Sequence, residues 1–116
     1  MRALVIICVA LAANSSQARD IRLREVELIG SWLPLRSCPN AEFTFARDHS
    51  YDHWCFDMSR DGKWSIRDGS RIILVRNIPG AKEQQLVILA FQRHSRKPSL
   101  TVRYDDGSTQ TWLKKT

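Results

Sequence analysis

The chain has 116 residues, with 18 lysines and arginines, 12 aspartates and glutamates, and a net charge of +6. This length limits it to one small domain, and the charge favours weak contact with anionic surfaces such as lipid headgroups, cell-wall polymers or acidic proteins. The basic residues are scattered along the chain, which is typical of a well-solvated surface. Together with the export signal described next, this scatter predicts no nucleic-acid partner.

The first 18 residues have the pattern of a secretory signal peptide. Arg2 precedes an apolar run from Ala3 to Ala13, and Ser16-Gln17-Ala18 matches the small-x-small cleavage pattern. The apolar run is too short to span a membrane, and no later run reaches spanning length. Cys8 lacks the small preceding residue of a lipidated cysteine. We therefore predict a signal peptide at 1–18, a single mature domain at 19–116 without a transmembrane segment, and a periplasmic or secreted location.

Two cysteines remain in the mature chain, Cys38 and Cys55. An even pair in an oxidising compartment indicates a disulfide. A domain of this size buries only about two thirds of its unfolded surface, so a covalent link is useful to it. Closing this loop should stabilise the fold by roughly 3 kcal/mol.

Turn signals recur at short, even intervals along the mature chain. Asp61-Gly62, Asp68-Gly69 and Asp106-Gly107 are strong hairpin signals, and Pro79-Gly80 and the segment 47–49 also interrupt apolar runs. After a helical or irregular lead-in at 19–25, the segments between turns alternate with period two or are rich in β-formers. We predict eight strands at Glu27–Leu35, Glu42–Ala46, Tyr51–Met58, Lys63–Arg67, Arg71–Arg76, Leu86–Gln92, Ser99–Tyr104 and Thr109–Leu113.

Eight short strands joined by tight turns predict an all-β fold, a small antiparallel up-and-down meander. Closure into an approximately eight-stranded barrel would remove the unpaired edges of such a sheet. A barrel of this size is just wide enough to be filled by side chains or to hold one small ligand. The residues predicted to fill the interior or line a ligand site are aromatic: Trp32, Phe43, Phe45, Trp64, Phe91 and Tyr104.

Two sequence patterns resemble those of known barrel families. Ile29-Gly30-Ser31-Trp32 resembles the glycine-x-tryptophan signature of lipocalin-like proteins, in which the glycine lets the first strand bend and the tryptophan plugs the closed end. The segment Gly62–Leu74 resembles a recurrent hairpin of small bacterial lipocalin-like barrels. The resemblance runs across most of the mature chain and implies a lipocalin-like barrel.

The segment Leu33–Phe45 is similar to part of the N-terminal barrel of copper-resistance and surface-sensing envelope lipoproteins. Those proteins carry a C-x-x-C motif in this turn. Here Leu35 stands in the place of the first cysteine, and only Cys38 matches. We therefore carry over neither a copper nor a redox function, and we expect no cofactor.

The stretch Arg47–Asp57 carries two histidines, one cysteine and three aspartates. His49, His53 and Cys55 could ligate a borderline metal ion if their side chains converged. A disulfide at Cys55 removes both the thiolate ligand and the free thiol that a cysteine nucleophile needs. The sequence indicates no serine triad either, so we predict no metal site and no enzymatic activity.

The same stretch leaves one strand with two alternative orientations. Alternation puts His53 and Cys55 on one face, and Trp54 and Phe56 on the other. If the Trp54 face points inward, His53 lies outside the barrel. If Cys55 points inward, Trp54 and Phe56 are exposed beside basic residues and mark a partner-binding surface.

Two functions follow from these patterns. The first is an exported, non-enzymatic, lipocalin-like binding protein that holds a small apolar or amphipathic ligand at the barrel mouth. The alternative is a protein-interaction or inhibitor module that docks a basic, aromatic surface on an envelope or exported protein. A cavity in the barrel would favour the first, and an exposed apolar patch would favour the second.

Overall fold

The computed structural model describes residues 22–115 and shows an all-β domain with one short helical turn. That turn, α1 (Glu25–Leu28), precedes a meander of eight strands. The strands are β1 (Gly30–Pro34), β2 (Glu42–Phe45), β3 (Ser50–Cys55), β4 (Met58–Arg67), β5 (Arg71–Arg76), β6 (Gln84–Gln92), β7 (Ser99–Arg103) and β8 (Thr109–Lys114). In this part of the chain, no helix is long and apolar enough to cross a membrane. The predicted signal peptide lies outside the described residues.

Each strand pairs antiparallel with the next, and β1 also pairs with β8 to close the barrel. Trp32 marks this closure, because it is opposite Phe43 on β2 and opposite Lys114 on β8. The predicted fold class, a closed antiparallel barrel of eight strands, is confirmed. Closure leaves no strand of the barrel with an unpaired edge along its length.

The barrel interior is filled by large apolar side chains from alternate strand positions. Phe43 stacks on Trp112 with ring centroids 4.4 Å apart, and Phe45 meets the edge of the Trp64 ring at 5.9 Å. The Trp64 indole donates a hydrogen bond to the carbonyl of Ala46 at 2.9 Å, so its polar atom is satisfied. The buried core comprises Leu23, Leu28, Trp32, Phe43, Phe45, Tyr51, Trp64, Ile72, Leu74, Leu86, Ile88, Leu100, Val102 and Trp112.

The lead-in before β1 closes one end of the barrel. It contacts three different turns of that end, and each contact is a hydrogen bond or an ion pair. These contacts are Leu23 N to Gly69 O at 2.8 Å, His49 Nε2 to Glu25 Oε1 at 2.9 Å, and Arg93 Nε to Glu27 Oε2 at 2.8 Å. Leu28 is fully buried below α1, so this end is sealed by apolar packing as well as by polar contacts.

Gly30 and Trp32 shape the closed end of the barrel. Gly30 has φ +125°, which an L side chain rarely adopts, and an added Cβ there would lie 2.9 Å from the Nζ of Lys114. The Trp32 ring is fully buried, and its Nε1 donates to the carbonyl of Leu28 at 2.8 Å. The glycine therefore turns the chain from α1 into β1, and the tryptophan plugs the closed end.

The first predicted strand begins too early. Residues 25–28 form α1 because the Glu27 side chain accepts a hydrogen bond from the backbone N–H of Arg24 at 3.0 Å, which satisfies a free donor of the first turn. The strand therefore starts at Gly30 rather than at Glu27.

The predicted hairpin turn at Asp61-Gly62 is wrong. Both residues lie inside β4, and the turn between β3 and β4 is formed instead by Phe56 and Asp57. An added Cβ at Gly62 would fall 2.0 Å from the carbonyl oxygen of Val75 on β5. Glycine is required here because a neighbouring strand approaches closely, not because the chain turns. The other predicted Asp-Gly turns, at Asp68-Gly69 and Asp106-Gly107, are present.

Candidate binding site at the barrel mouth

The end opposite the lead-in contains a cavity of about 130 Å³. This end, the mouth, is formed by the β1–β2, β3–β4, β5–β6 and β7–β8 connections. The cavity floor is apolar and consists of the buried side chains of Phe43, Tyr51 and Leu74. Below that floor the barrel is filled, so the cavity is confined to the mouth.

The cavity wall is polar and carries two cations. Arg60 on β4 and Arg76 on β5 both line it, together with Gln84 at the start of β6. Strand register explains why these side chains point inward. Gly62 is opposite Arg76, and Arg60 lies two residues before Gly62 on the same face of β4.

His53 lies between the polar wall and the apolar floor of the cavity. Its ring stacks on the Phe43 ring with centroids 3.9 Å apart and planes 6° from parallel. Burial lowers the pKa of His53, and the positive charge of Arg60 lowers it further. The histidine is therefore held in its neutral form at neutral pH and extends the aromatic stack of the core.

Tyr104 completes the wall on the β7–β8 side, and the Gln110 side chain holds it in place. The Tyr104 hydroxyl donates to the Gln110 carbonyl oxygen at 2.6 Å, and the Trp112 indole donates to the same oxygen at 2.9 Å. Burial raises the pKa of Tyr104 to about 12, so it stays a neutral phenol. One amide oxygen thus fixes two aromatic side chains, which gives the mouth a defined shape.

A second cavity of about 130 Å³ adjoins the first at the mouth. His53 and Arg60 line both cavities, and Cys55 and Met58 line only the second. Cys55 is joined to Cys38 by a disulfide with a Cα–Cα distance of 5.6 Å, as the sequence predicts. The disulfide ties the β1–β2 loop to the β3–β4 hairpin beside this second cavity.

The structure resolves the orientation that the sequence leaves open. Tyr51 is buried and His53 half-buried, whereas Trp54 is 47% and Phe56 64% exposed. Met58 is also 63% exposed, but it is opposite Cys55 in the strand register and lies on the Cys55 face. The Cys55 face therefore points inward, and Trp54 and Phe56 are exposed; we call this aromatic pair the hairpin patch.

Phe56 has a backbone conformation that bulky residues rarely adopt. Its φ is +67°, which costs on the order of 1–2 kcal/mol for a residue with a side chain. The Phe56 N–H donates to the carbonyl of Pro39 at 2.8 Å, and the neighbouring disulfide holds the same loop. The hairpin thus keeps a phenyl ring exposed at its tip in a strained geometry, which is a feature of functional sites.

The six aromatic residues predicted for the interior or ligand site divide between two places. Phe43 and Tyr104 line the mouth cavity. Trp32, Phe45 and Trp64 fill the barrel below it, and Phe91 packs on the core towards the closed end. Sequence reasoning missed the polar lining residues of the mouth, which are His53, Arg60, Arg76 and Gln84.

A larger surface depression lies beside the β1–β2 loop and the start of β8. It measures about 350 Å³ and lies against Leu35, Arg36 and Thr111. Its lining has one charged side chain, Arg36, and no aromatic ring, so it lacks the aromatic floor and the two cations of the mouth cavity. Residues 22–115 contain no group of three His, Cys, Asp or Glu side chains that could hold a metal ion.

Comparison of the chain with models of protein families, with curated proteins and with solved structures finds no match in any of the three. The lipocalin-like family therefore stays a prediction from the sequence, and function has to be argued from the mouth itself.

Proposed function

We propose that the protein is an exported, non-enzymatic binding protein that holds a small amphipathic ligand in the barrel mouth. The observation that carries this proposal is the mouth cavity, in which an apolar floor meets a polar, cationic wall. Ligand sites combine an apolar lining with a few convergent polar groups, and barrel mouths are among their common places. The filled core below Phe43 and Leu74 restricts the ligand to the mouth.

The size of the cavity limits the ligand. An engineered apolar cavity of about 150 Å³ accommodates one benzene molecule. The first mouth cavity, at about 130 Å³, is close to that size. One ring or a short branched chain therefore fits on the floor, and a larger ligand extends over His53 into the adjoining cavity beside Met58.

The side chains of the mouth support binding rather than catalysis. His53 is stacked on Phe43, and within residues 22–115 no carboxylate lies within ion-pair distance of it. A histidine that acts as a general base needs a group that orients it and a nucleophile within reach. Cys55 is in a disulfide and offers no thiolate. Export is supported by that disulfide and by the signal-peptide pattern at 1–18.

The test is a fragment screen by nuclear magnetic resonance, using small aromatic and short aliphatic compounds. We expect bound fragments to shift the signals of Phe43, His53 and Tyr104. Gln84→Phe should abolish these shifts because it fills the cavity from the wall. Gln85→Phe is the control, since Gln85 points outward from the next position of β6. Fragments that bind Gln84→Phe unchanged, or that bind only outside the mouth, would contradict the proposal.

The hairpin patch favours a second candidate function, the docking of an envelope or exported protein. Trp54 and Phe56 are close in sequence, large and exposed, and aromatic side chains are enriched at interfaces. The net charge of +6 favours a partner whose apolar contact surface is rimmed by acidic groups. The strained Phe56 backbone gives independent support, because it keeps a ring on the surface rather than in the core.

This second function can be tested with a photo-crosslinking phenylalanine analogue. Placed at position 56 it should capture a defined exported protein, and placed at Val26, which is exposed on α1 at the closed end, it should not. The purified pair should then associate, and the double change of Trp54→Ser with Phe56→Ser should weaken the association about a hundredfold. Equal loss with Val26→Ser would exclude the hairpin patch as the docking surface.

A further inference from the structure

We infer that the ligand of the mouth is a small organic anion, whose charged group binds between Arg60 and Arg76 while a flat apolar part lies on the floor. This inference rests on the proposed function and names the ligand class. Both arginines line the same cavity of about 130 Å³, and Phe43 and Leu74 line it as well. An occupant of that cavity is in reach of two cations and an aromatic surface at once.

Neither arginine of the mouth is neutralised by the protein. Within residues 22–115, no carboxylate lies within 4.0 Å of the guanidinium group of Arg60 or Arg76. Asp61 is near in sequence, but it points to the outer face, where it accepts a hydrogen bond from the Asn77 side chain at 3.2 Å. By contrast, Arg67 on the outer face pairs with Glu83 at 2.8 Å.

The neighbouring groups experience the positive field of this pair. Burial raises the pKa of Tyr51, the charge of Asp61 adds to that rise, and the charges of Arg76 and Arg60 oppose it. Burial also lowers the pKa of His53, and Arg60 lowers it further. Both arginines are solvent-exposed, and two like charges beside one cavity attract a counter-charge; the planar guanidinium group is suited to paired hydrogen bonds with a carboxylate or phosphate.

The floor selects for a flat apolar part. The His53 and Phe43 rings are nearly parallel at 3.9 Å, and both line the cavity. Aromatic ligands stack on such surfaces in offset or edge-on arrangements. The Tyr104 hydroxyl donates to Gln110, so that donor is occupied within the protein. Recognition of the ligand's charge is thus left to the arginines, with the Gln84 amide beside them.

The experiment compares benzoate, benzamide and inorganic phosphate by calorimetry at neutral pH and low ionic strength. Benzoate and benzamide share a ring and differ in charge, and phosphate has charge without a ring. We expect benzoate to bind at least about tenfold more tightly than either of the other two compounds.

Variants assign the effect to the two arginines. Arg60→Gln and Arg76→Gln should each weaken benzoate binding by about tenfold and leave benzamide binding unchanged. Lys63→Gln is the matched control, because it removes one positive charge from the outer face of β4, where Lys63 is opposite Val75. It should change benzoate binding by less than about twofold, since Lys63 does not line the cavity and its distant charge is screened by solvent.

Each remaining outcome has a defined meaning. Equal binding of benzoate and benzamide, both lost in Gln84→Phe, overturns the anion inference and leaves the proposed ligand site standing. Phosphate binding as tightly as benzoate overturns the requirement for an apolar part. If Lys63→Gln weakens benzoate binding as much as Arg60→Gln does, the effect comes from the net charge of the protein and not from the arginines of the mouth. No binding of any compound at millimolar concentration overturns both proposals.

Discussion

His53 lies between the aromatic core and the two mouth arginines, and its neutral form suits both neighbours. The neutral ring stacks on Phe43, and protonation would place a third positive charge beside Arg60. Tyr51, which is also in the mouth, is a neutral phenol at neutral pH because burial raises its pKa. The ionisable side chains that face His53 are therefore cationic or neutral.

This arrangement predicts a pH-dependent stability. The pKa of His53 is lowered in the folded state by burial and by Arg60, so the unfolded state binds more protons below about pH 6.5. Stability is then complete above about pH 6.5 and falls as the pH falls towards the lower folded pKa. Urea unfolding between about pH 7 and pH 5 should show this decline in the wild type and not in His53→Gln.

The control for this prediction is His94→Gln, which removes a histidine from the exposed loop between β6 and β7. It should keep the wild-type decline between about pH 7 and pH 5. A decline that survives in His53→Gln would assign the effect to another group. The depressed pKa of carboxyls such as Glu83 and Asp106 makes them titrate at lower pH, outside this window.

Gly62 and Gly80 require glycine for different reasons. Gly62 has no space for a side chain, whereas Gly80 has a positive φ. At Gly62 an added Cβ would meet the Val75 carbonyl at 2.0 Å and the Tyr51 ring at 2.8 Å. At Gly80 it would meet nothing within 4 Å, although φ is +73°. Gly62→Ala should therefore lower the free energy of unfolding by about 3 kcal/mol, as expected for overpacking. Gly80→Ala should lower it by about 1 kcal/mol. Equal losses in urea unfolding would contradict the close packing at Gly62.

At the scale of elements, the β3–β4 hairpin shows what local sequence can and cannot predict. Alternation and turn residues indicate eight strands, because both signals depend on neighbouring residues. The predicted position of the turn between β3 and β4 is wrong because Asp61-Gly62 is a stronger hairpin signal in the sequence than Phe56-Asp57. The close approach of Val75 and Tyr51 that requires Gly62 comes from residues distant in the sequence.

The same register error explains why the mouth arginines were missed. If the chain turned at Gly62, Arg60 would lie in a loop, and strand alternation would not assign its side chain to either face of the sheet. With β4 extended to Met58, Arg60 shares the inward face with Gly62 and Trp64. Counting back from Trp64 in steps of two gives Gly62 and then Arg60, and the pairing of Gly62 with Arg76 would have added the second cation.

The disulfide is the covalent link of the hairpin element. It joins Cys38 in the β1–β2 loop to Cys55 at the end of β3, across a sequence separation of 17 residues. Replacing both cysteines by serine should lower the free energy of unfolding by about 3 kcal/mol. Amide hydrogen exchange should rise most at Phe56, whose N–H donates to Pro39 in the linked loop.

Thiol titration checks the premise of that prediction. The unreduced protein should contain no free thiol at Cys38 or Cys55. Two reactive thiols in unreduced mature protein would contradict the disulfide and restore Cys55 as a candidate metal ligand or nucleophile. The α1 segment at the opposite end should keep its wild-type exchange rates in the serine variant, because the disulfide does not contact it.

At the scale of the whole molecule, the two barrel ends have different roles. The closed end joins the lead-in to three turns, and the plug residue Trp32 is held by Leu28. The mouth has a cavity, two arginines without carboxylate partners among the described residues, and the hairpin patch. A rigid closed end allows the mouth to be pre-organised, which lowers the cost of binding a ligand.

Closure of the barrel depends on Lys114, where β8 meets β1. Its Nζ donates to the carbonyl oxygens of Glu27 and Ile29 and lies 4.7 Å from the centre of the Trp32 ring. Burial lowers the pKa of Lys114, so the charged group is partly shielded from water and its contacts with the protein are correspondingly important.

Lys114→Met preserves the length of the side chain and removes its donors, and it should lower the free energy of unfolding by about 2 kcal/mol. Lys115→Met is the adjacent control, because Lys115 forms an exposed ion pair with Glu42 at 3.0 Å and such pairs contribute less than about 1 kcal/mol. Urea unfolding of both variants measures the difference. Equal losses would show that the closed end is held by apolar packing alone, with no contribution from the cation beneath Trp32.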